Sequence, residues 1–407
     1  MPTKRARSSR PKPKRTVPKK AKKIKRRALP PRTLSSGRGV ARTRRPIRAY
    51  KRAPSLAKHH HNPILQPRDH RPWESKATFN PGAIYEDGKV HLLYRAIGDN
   101  DVSVLGYASS RDGIHIDERS EEPAYVPSGI LMPTHGESTG RASSPYASGG
   151  GWWGGAEDPR LTVIDGRVYL LYVAYDGWSP PRVALTSLNR THFLNQQWEW
   201  DEPRLISPPP EMLRRNPRFH DVVDKNACLL PEKVRGKYVI FHRIYPDILI
   251  DFVDDLRFEN SYLEGKYKIC PRPGFWDSRK VGAGPPPIKT KEGWLLIYQA
   301  VGNDDPSRYK MGAMLLDLRD PTRVLYRSRF PILAPEEWYE NQGWKYGVVY
   351  PCGAVVIDGD LFIYYGGADS VVCVATANLE SFLSELKLTG SPKLKRGNVS
   401  RHPHARR

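Results

Sequence analysis

Five segments of this 407-residue chain repeat one pattern, and a repeat of that kind constrains the fold more than composition does. Each opens on a Pro- or Asn-containing step, runs through a short apolar stretch, turns tightly and returns as an apolar, aromatic run. They read Asn80 to Gly98 (NPGAIYEDGKVHLLYRAIG), Asp158 to Asp176 (DPRLTVIDGRVYLLYVAYD) and Lys225 to Ile244 (KNACLLPEKVRGKYVIFHRI). The last two are Gly284 to Gly302 (GPPPIKTKEGWLLIYQAVG) and Tyr350 to Asp369 (YPCGAVVIDGDLFIYYGGAD). One aromatic holds the equivalent place in each: Tyr94, Tyr172, Phe241, Tyr298 and Tyr364, spaced 78, 69, 57 and 66 residues apart. Asp-Gly pairs at 87–88, 165–166 and 358–359 predict two-residue hairpin turns. Further strands follow most hairpins, as in LGYASSRDG, RVALTSLN, YKMGAMLLDL and VVCVATANL. Few stretches carry a 3.6-residue period. The expected fold is therefore all-β: five four-stranded sheets in series, a five-bladed β-propeller whose site lies at the axial mouth. A β-sandwich is the alternative, and five matching units argue against it.

Charge divides the chain. The first 58 residues hold 23 of the 66 Lys+Arg, and no Asp or Glu precedes Asp69. The rest of the chain carries 43 basic residues against 43 acidic ones, so a globally basic nucleic-acid binder is disfavoured. Residues 1–58 are read as a disordered basic arm, 59–390 as the propeller and catalytic domain, and 391–407 as a basic tail. Arm and tail could contact polyanions (RNA, DNA or an anionic surface) or act only as solvated tails, since no aromatic interleaves their charges. No window reaches 18 apolar residues, so no membrane span is expected. Cys228, Cys270, Cys352 and Cys373 are far apart with no CxxC spacing, which fits thiols in a reducing cytoplasm. Self-association into a homo-oligomer is left open.

In a propeller the innermost strands converge on the axis, so equivalent positions of the five repeats face one centre. Those positions are polar: Asn80 and Arg95; Glu157, Asp158 and Arg160; Lys225, Asn226, His242 and Arg243; Lys289, Gln299 and Tyr309; and Asp369. Carboxylates there face three cations, Lys225, Arg243 and Lys289. That composition suits a neutral polar substrate meeting a small oxyanion, because Arg offers a planar fork to phosphate oxygens and Lys a point charge. For any one of these residues, an ion pair closing a sheet end would serve as an explanation; five coordinated repeats ending in polar residues are harder to explain that way.

The residues GGAEDPR (154–160), DKNACLLPEK (224–233), FHR (241–243), GPPPIKT (284–290), GWLLIY (293–298) and YYGGAD (364–369) resemble glycoside hydrolase family 130. The resemblance runs in order from about Asn80 to Leu379. It implies a five-bladed propeller that cleaves β-mannosidic bonds, usually by inverting phosphorolysis, in which inorganic phosphate attacks the anomeric carbon and releases α-mannose 1-phosphate. By this resemblance Asp158 matches the single catalytic acid, needed because an alkoxide leaves poorly unless protonated. Asn80, Arg95 and Asp369 match the positions that hold the mannosyl ring, with Glu157 expected beside them; Lys225, Asn226, Arg243, Lys289 and Tyr309 match the phosphate set, with Gln299 expected to join it. Phosphate is itself the nucleophile and co-substrate, so one carboxylate suffices and no cofactor is implied.

Two departures stand out. A His usual after GWLLIY is here Gln299, which donates hydrogen bonds but carries no charge, and Lys225 stands where some members have Arg. Three cations favour phosphorolysis over the hydrolysis of related members, which recruit carboxylates to activate water. A sugar-binding propeller without catalysis is disfavoured by the intact EDPR. The Gly/Ser-rich stretch from Pro127 to Gly155 is longer than the family's usual link and ends in Trp152 and Trp153, expected as a lid placing aromatic faces over the sugar. Ser, His and Asp are not read as a nucleophilic triad and no HExxH occurs, so neither a nucleophilic serine nor a metal is expected. Linkage and acceptor are not legible, because loops around a fixed centre set them.

Overall fold

The chain reverses at the Asp-Gly pairs in the computed structural model, which describes residues 54–128, 146, 154–209, 222–259 and 261–390. At Asp87–Gly88, Asp165–Gly166 and Asp358–Gly359 both central residues have φ between 47° and 88°, as a type I′ turn requires. Arg235–Gly236 does the same with φ of 54° and 77°, a fourth tight turn whose first residue hid it from the sequence reading.

The strands form five antiparallel units, preceded by a two-residue strand β1 (Ala57–Lys58). The first unit is β2 (Ala77–Glu86), β3 (Lys89–Ile97), β4 (Ser103–Ser110) and β5 (Glu118–Arg119). The second is β6 (Gly155–Ile164), β7 (Arg167–Tyr175), β8 (Arg182–Asn189) and β9 (Arg204–Leu205). The third is β10 (Asp224–Leu229), β11 (Tyr238–Ile244), β12 (Asp247–Val253) and β13 (Tyr267–Ile269). The fourth is β14 (Lys280–Ala283), β15 (Ile288–Lys289), β16 (Trp294–Val301), β17 (Lys310–Leu316) and β18 (Val324–Arg327). The fifth is β19 (Val349–Ile357), β20 (Asp360–Gly367) and β21 (Val371–Asn378), with β1 pairing on β21. One parallel bridge, Ser103 to Gly155, joins the first two units into an eight-stranded sheet. The chain is thus mostly β.

Apolar packing runs from each unit to the next. One cluster joins Leu93 and Tyr107 to Leu161 and Tyr172; the next joins Leu171 and Val183 to Leu229 and Ile240. Phe241 and Ile250 then pack with Leu296 and Tyr298, and Leu295 and Met311 with Ile363 and Tyr365. A fifth cluster brings the last unit back onto the first, with Val355, Phe362 and Tyr364 against Ala83, Val90 and Leu92. The five equivalent aromatics are at most 1% exposed. Two of them repeat one polar device. The Tyr94 hydroxyl donates to Glu74 (2.8 Å) and accepts from Arg119 Nε (3.0 Å), while Tyr298 donates to Asp277 (2.9 Å) and accepts from Arg327 Nε (3.2 Å). Gly106 and Gly312 face these rings so closely that a Cβ on either would stand 2.4 Å from a ring carbon.

Three short helices complete the described residues: α1 (Arg190–Leu194), α2 (Trp338–Asn341) and α3 (Leu379–Thr389). None is long and apolar enough to cross a membrane. The boundary expected at residue 58 moves toward the N terminus. Leu56 is buried, Ala57 and Lys58 add an edge to β21, and Lys58 Nζ lies 2.6 Å from Glu340 Oε2. Backbone pairing and one buried leucine order these residues despite their place beside a charge run. Residues 1–53 of the arm and 391–407 of the tail lie outside the described residues.

Candidate active site

The first long strand of every unit is interrupted part-way along. Register shifts occur between Phe79 and Gly82 in β2, Glu157 and Arg160 in β6, Lys225 and Cys228 in β10, and Pro351 and Gly353 in β19. In the fourth unit the strand breaks outright between β14 and β15, across Gly284 to Pro287. Three bulges hold a left-handed residue other than glycine: Asn80 (φ 49°), Asp158 (φ 52°) and Asn226 (φ 59°). Asn and Asp tolerate that conformation best, and it still costs about 1–3 kcal/mol each. A bulge re-aims its side chain. The Asn-Pro, Asp-Pro and Asn-Ala steps are therefore the devices that present polar groups to a common centre.

Their side chains meet around a cavity of about 300 Å³. On one side stand Asn80, Arg95, Asp158 and Asp369. Asn80 Nδ2 donates to Asp158 Oδ1 at 2.7 Å, and Arg95 reaches the same oxygen at 3.5 Å. Glu157 lies beneath, fully buried, and bridges Arg95 (2.8 Å) and Lys225 (3.3 Å). Arg160 donates to the Asp158 carbonyl at 2.6 Å and stands 5.8 Å from the Tyr350 ring. Burial pushes the Asp158 carboxyl up, but Arg95, Arg160, the Asn80 amide and Lys225 outweigh it and hold that carboxyl below the usual range. Asp369 goes the other way: burial lifts it against the pull of Lys345, and Asp158 and Glu157 add to the rise.

The opposite side is cationic, with Lys225, Arg243, Lys280 and Lys345 lining the cavity beside Tyr309 and Tyr350. Lys280 Nζ hydrogen-bonds the Tyr309 hydroxyl, and the Lys280 and Lys345 ammonium groups lie 4.5 and 4.4 Å from the centre of its ring. Burial alone would raise the Tyr309 phenol; Lys345, Lys280 and Arg243 bring it down to about 8. Arg243, Lys280 and Lys345 make no ion pair among the described residues. Several polar atoms here lack a partner among the described residues: Asn80 Oδ1, Asn226 Oδ1, Arg243 Nε and both amide atoms of Gln299. Unpaired buried polar groups are costly, and a polar ligand would satisfy them.

The structure thus gathers Asn80, Arg95, Asp158, Asp369, Lys225, Arg243 and Tyr309 at the cavity. Asn226 and Gln299 are buried just behind it: a Cβ on Gly282 would stand 2.8 and 2.7 Å from their side-chain tips. Asn226 also donates to Tyr350. Two expectations are corrected. Lys289 is half exposed, pairs with Glu232 and sits opposite Trp294 beside the hairpin turn, at the far end of its strand from the cavity. His242 does not face the centre. It is buried between Asp224 (2.9 Å) and Asp251 (3.1 Å), because neighbours on a strand point to opposite faces and Arg243 takes the cavity side. Burial opposes its charge, yet the two aspartates lift it to about 10. Trp152 and Trp153 lie outside the described residues; within their segment Tyr146 is described and lines the cavity. The sequence reading missed Lys280, Lys345 and Tyr350. The signal for Lys280 and Tyr350 was position at the start of an innermost strand; Lys345 lies in an unrepeated loop and had none.

Several known proteins are similar to this chain over most of its length. A 1,2-β-oligomannan phosphorylase of Thermoanaerobacter sp. (strain X514) is 37% identical over 78% of this chain and 95% of its own length. A β-1,2-mannobiose phosphorylase of the same organism is 36% identical, over 78% and 95%. Among solved structures, β-1,2-mannobiose phosphorylase from Listeria innocua in complex with β-1,2-mannobiose superposes with a TM-score of 0.62 at 26% identity, over 82% of this chain and 99% of that one. The family model described as β-1,4-mannooligosaccharide phosphorylase matches residues 55–388, and the chain belongs to that family, glycoside hydrolase family 130.

Proposed function

We propose that this protein is an inverting β-mannoside phosphorylase that transfers a mannosyl group from a β-1,2-linked mannooligosaccharide to inorganic phosphate, giving α-mannose 1-phosphate. One observation carries the reading: Arg243, Lys280 and Lys345, without acidic partners among the described residues, line the same 300 Å³ cavity as Asp158. Three cations around a small space suit an oxyanion, while activation of water would call for a carboxylate base. Asp158 acts as the acid toward the leaving oxygen, and Asn80, Arg95 and Asp369 hold the mannosyl ring, with Glu157 bracing Arg95 and Lys225. Lys225, Arg243, Lys280, Lys345 and Tyr309 receive phosphate, supported from behind by Asn226 and Gln299.

Electrostatics tie the two halves together. Lys225 is among the groups that keep Asp158 ionised, so a bound phosphate, adding negative charge beside it, favours the protonated acid that the leaving group needs. The relatives at 36–37% identity favour the β-1,2 linkage. We read the five units as blades of a closed five-bladed propeller spanning about residues 54–390; the return of the fifth unit onto the first supports closure. The four cysteines are unpaired thiols, which supports a reducing, cytoplasmic setting. The test is incubation of purified protein with β-1,2- and β-1,4-mannobiose, with and without phosphate. Mannose 1-phosphate formed only with phosphate, and mainly from the β-1,2 sugar, is expected. Free mannose at a rate indifferent to phosphate would make the protein a hydrolase.

A further inference from the structure

Three cations are gathered around the Tyr309 phenol. Lys280 on β14 bonds its hydroxyl, Lys345 from the loop before β19 lies over its ring, and Arg243 on β11 lines the same cavity. The Tyr350 ring lies 5.9 Å away and is tilted. Of the cavity's carboxylates, Asp369 acts on Lys345, as Asp158 does more weakly. Three half-buried cations without an ion-pair partner among the described residues favour an anion beside them, and the phenol is the group placed to become one.

Resting on the phosphorolysis reading above, we propose that Tyr309 is a proton-exchanging residue of the phosphate site: in alkaline solution its phenolate stands in for the anion until phosphate binds, and it then takes up one proton. As phenolate it partners Lys280, Lys345 and Arg243. A phosphate dianion entering the same cluster makes a second anion there, and the pair is relieved when the phenolate oxygen gains a proton. An O–H bond forms on Tyr309, and the proton comes either from solvent or from monoanionic phosphate, whose own O–H bond then breaks. Both routes end in the same state, a neutral phenol donating its hydrogen bond to dianionic phosphate, and neither needs an oxidant or reductant. A phenol that titrates to about 8 makes this exchange accessible close to neutral pH.

The linkage has a sign. Below about pH 8 the phenol is already neutral and phosphate binding consumes no proton at this residue. Above it each binding event takes one, so phosphate affinity falls by about tenfold per pH unit. The experiment is an ultraviolet difference titration of the full-length protein with inorganic phosphate at pH about 9, alongside calorimetry from pH 7 upward. Phosphate is expected to remove tyrosinate absorbance equivalent to one tyrosine. Tyr309→Phe is expected to lack that signal and to bind phosphate with an affinity that no longer falls above pH 8. Calorimetric binding by the wild type at pH 9 with no loss of tyrosinate absorbance would overturn the inference and leave phosphorolysis standing. The same holds if Tyr309→Phe keeps the full pH dependence. Absence of phosphate binding at pH 7 would instead remove the phosphorolysis reading, and this inference with it.

Discussion

Lys280 and Lys289 are nine residues apart in one unit, and replacing each by Met separates the tertiary assignment from the sequence one. Lys280 lines the cavity, hydrogen-bonds Tyr309 and makes no ion pair among the described residues, so its charge is available to phosphate. A hydrogen bond to a charged group contributes about 1.5–3 kcal/mol, or roughly 10- to 150-fold in phosphate-dependent kcat/KM. Methionine keeps the bulk of the chain and removes the ammonium. The loss should fall on phosphate and leave mannoside binding in its absence nearly unchanged, since the ring is assigned to Asn80, Arg95 and Asp369. Lys280→Met also takes away one of the three cations that hold Tyr309 down, so its phenol should climb from about 8 back toward its ordinary value. Lys289 is 52% exposed with an equally exposed partner, Glu232. Such pairs contribute about 0–1 kcal/mol to stability, and a surface change of this kind should leave kcat/KM within about twofold. The assay is initial-rate formation of mannose 1-phosphate over a phosphate series for both variants. Equal losses, or a larger loss for Lys289→Met, would refute the placement of the anion site.

Asp158→Asn should lower phosphorolysis by roughly 10²–10⁴-fold while the protein keeps its cooperative unfolding; a variant retaining most turnover would mean that another group supplies the proton. His242 has a folded-state pKa lifted to about 10, so its ion pairs with Asp224 and Asp251 stabilise fully below its unfolded value near 6.5 and are lost as pH rises through 10. Denaturant midpoints should therefore fall between pH 7 and 10, and the fall should be shallower in His242→Gln, which is less stable throughout because it leaves two buried carboxylates without a charged partner. Deleting residues 1–53 removes 22 of the chain's basic residues, and should leave phosphorolysis unchanged while abolishing any salt-sensitive retention on a polyanion column; retention by the truncated protein would place that contact on the folded body.

What the sequence settled by itself is whatever local rules govern. Asp-Gly at three turns needs positive φ at both positions, and the apolar, aromatic runs flanking those turns read as strands. Matching the repeats then picked out Asn80 and Asp158, each seven residues before the Asp of its Asp-Gly turn, with Lys225 at the start of the third repeat and Asp369 at the end of the fifth. The bulges explain why that worked: one local device, a left-handed Asn or Asp, recurs in three units. Tertiary structure decided what local rules leave open. Offset along a strand does not say which end meets the centre, so Lys289 near the turn was confused with Lys280 before the break, though each residue advances about 3.3 Å. Parity along β11 turned His242 away once Arg243 faced the cavity. Lys345 belongs to no repeat; it lines the cavity from a loop whose Lys345 backbone N–H donates to the Ala368 carbonyl, beside Asp369. A charge cluster drawn from four separate elements has no signature in one stretch of chain, since its members share a place and not a spacing.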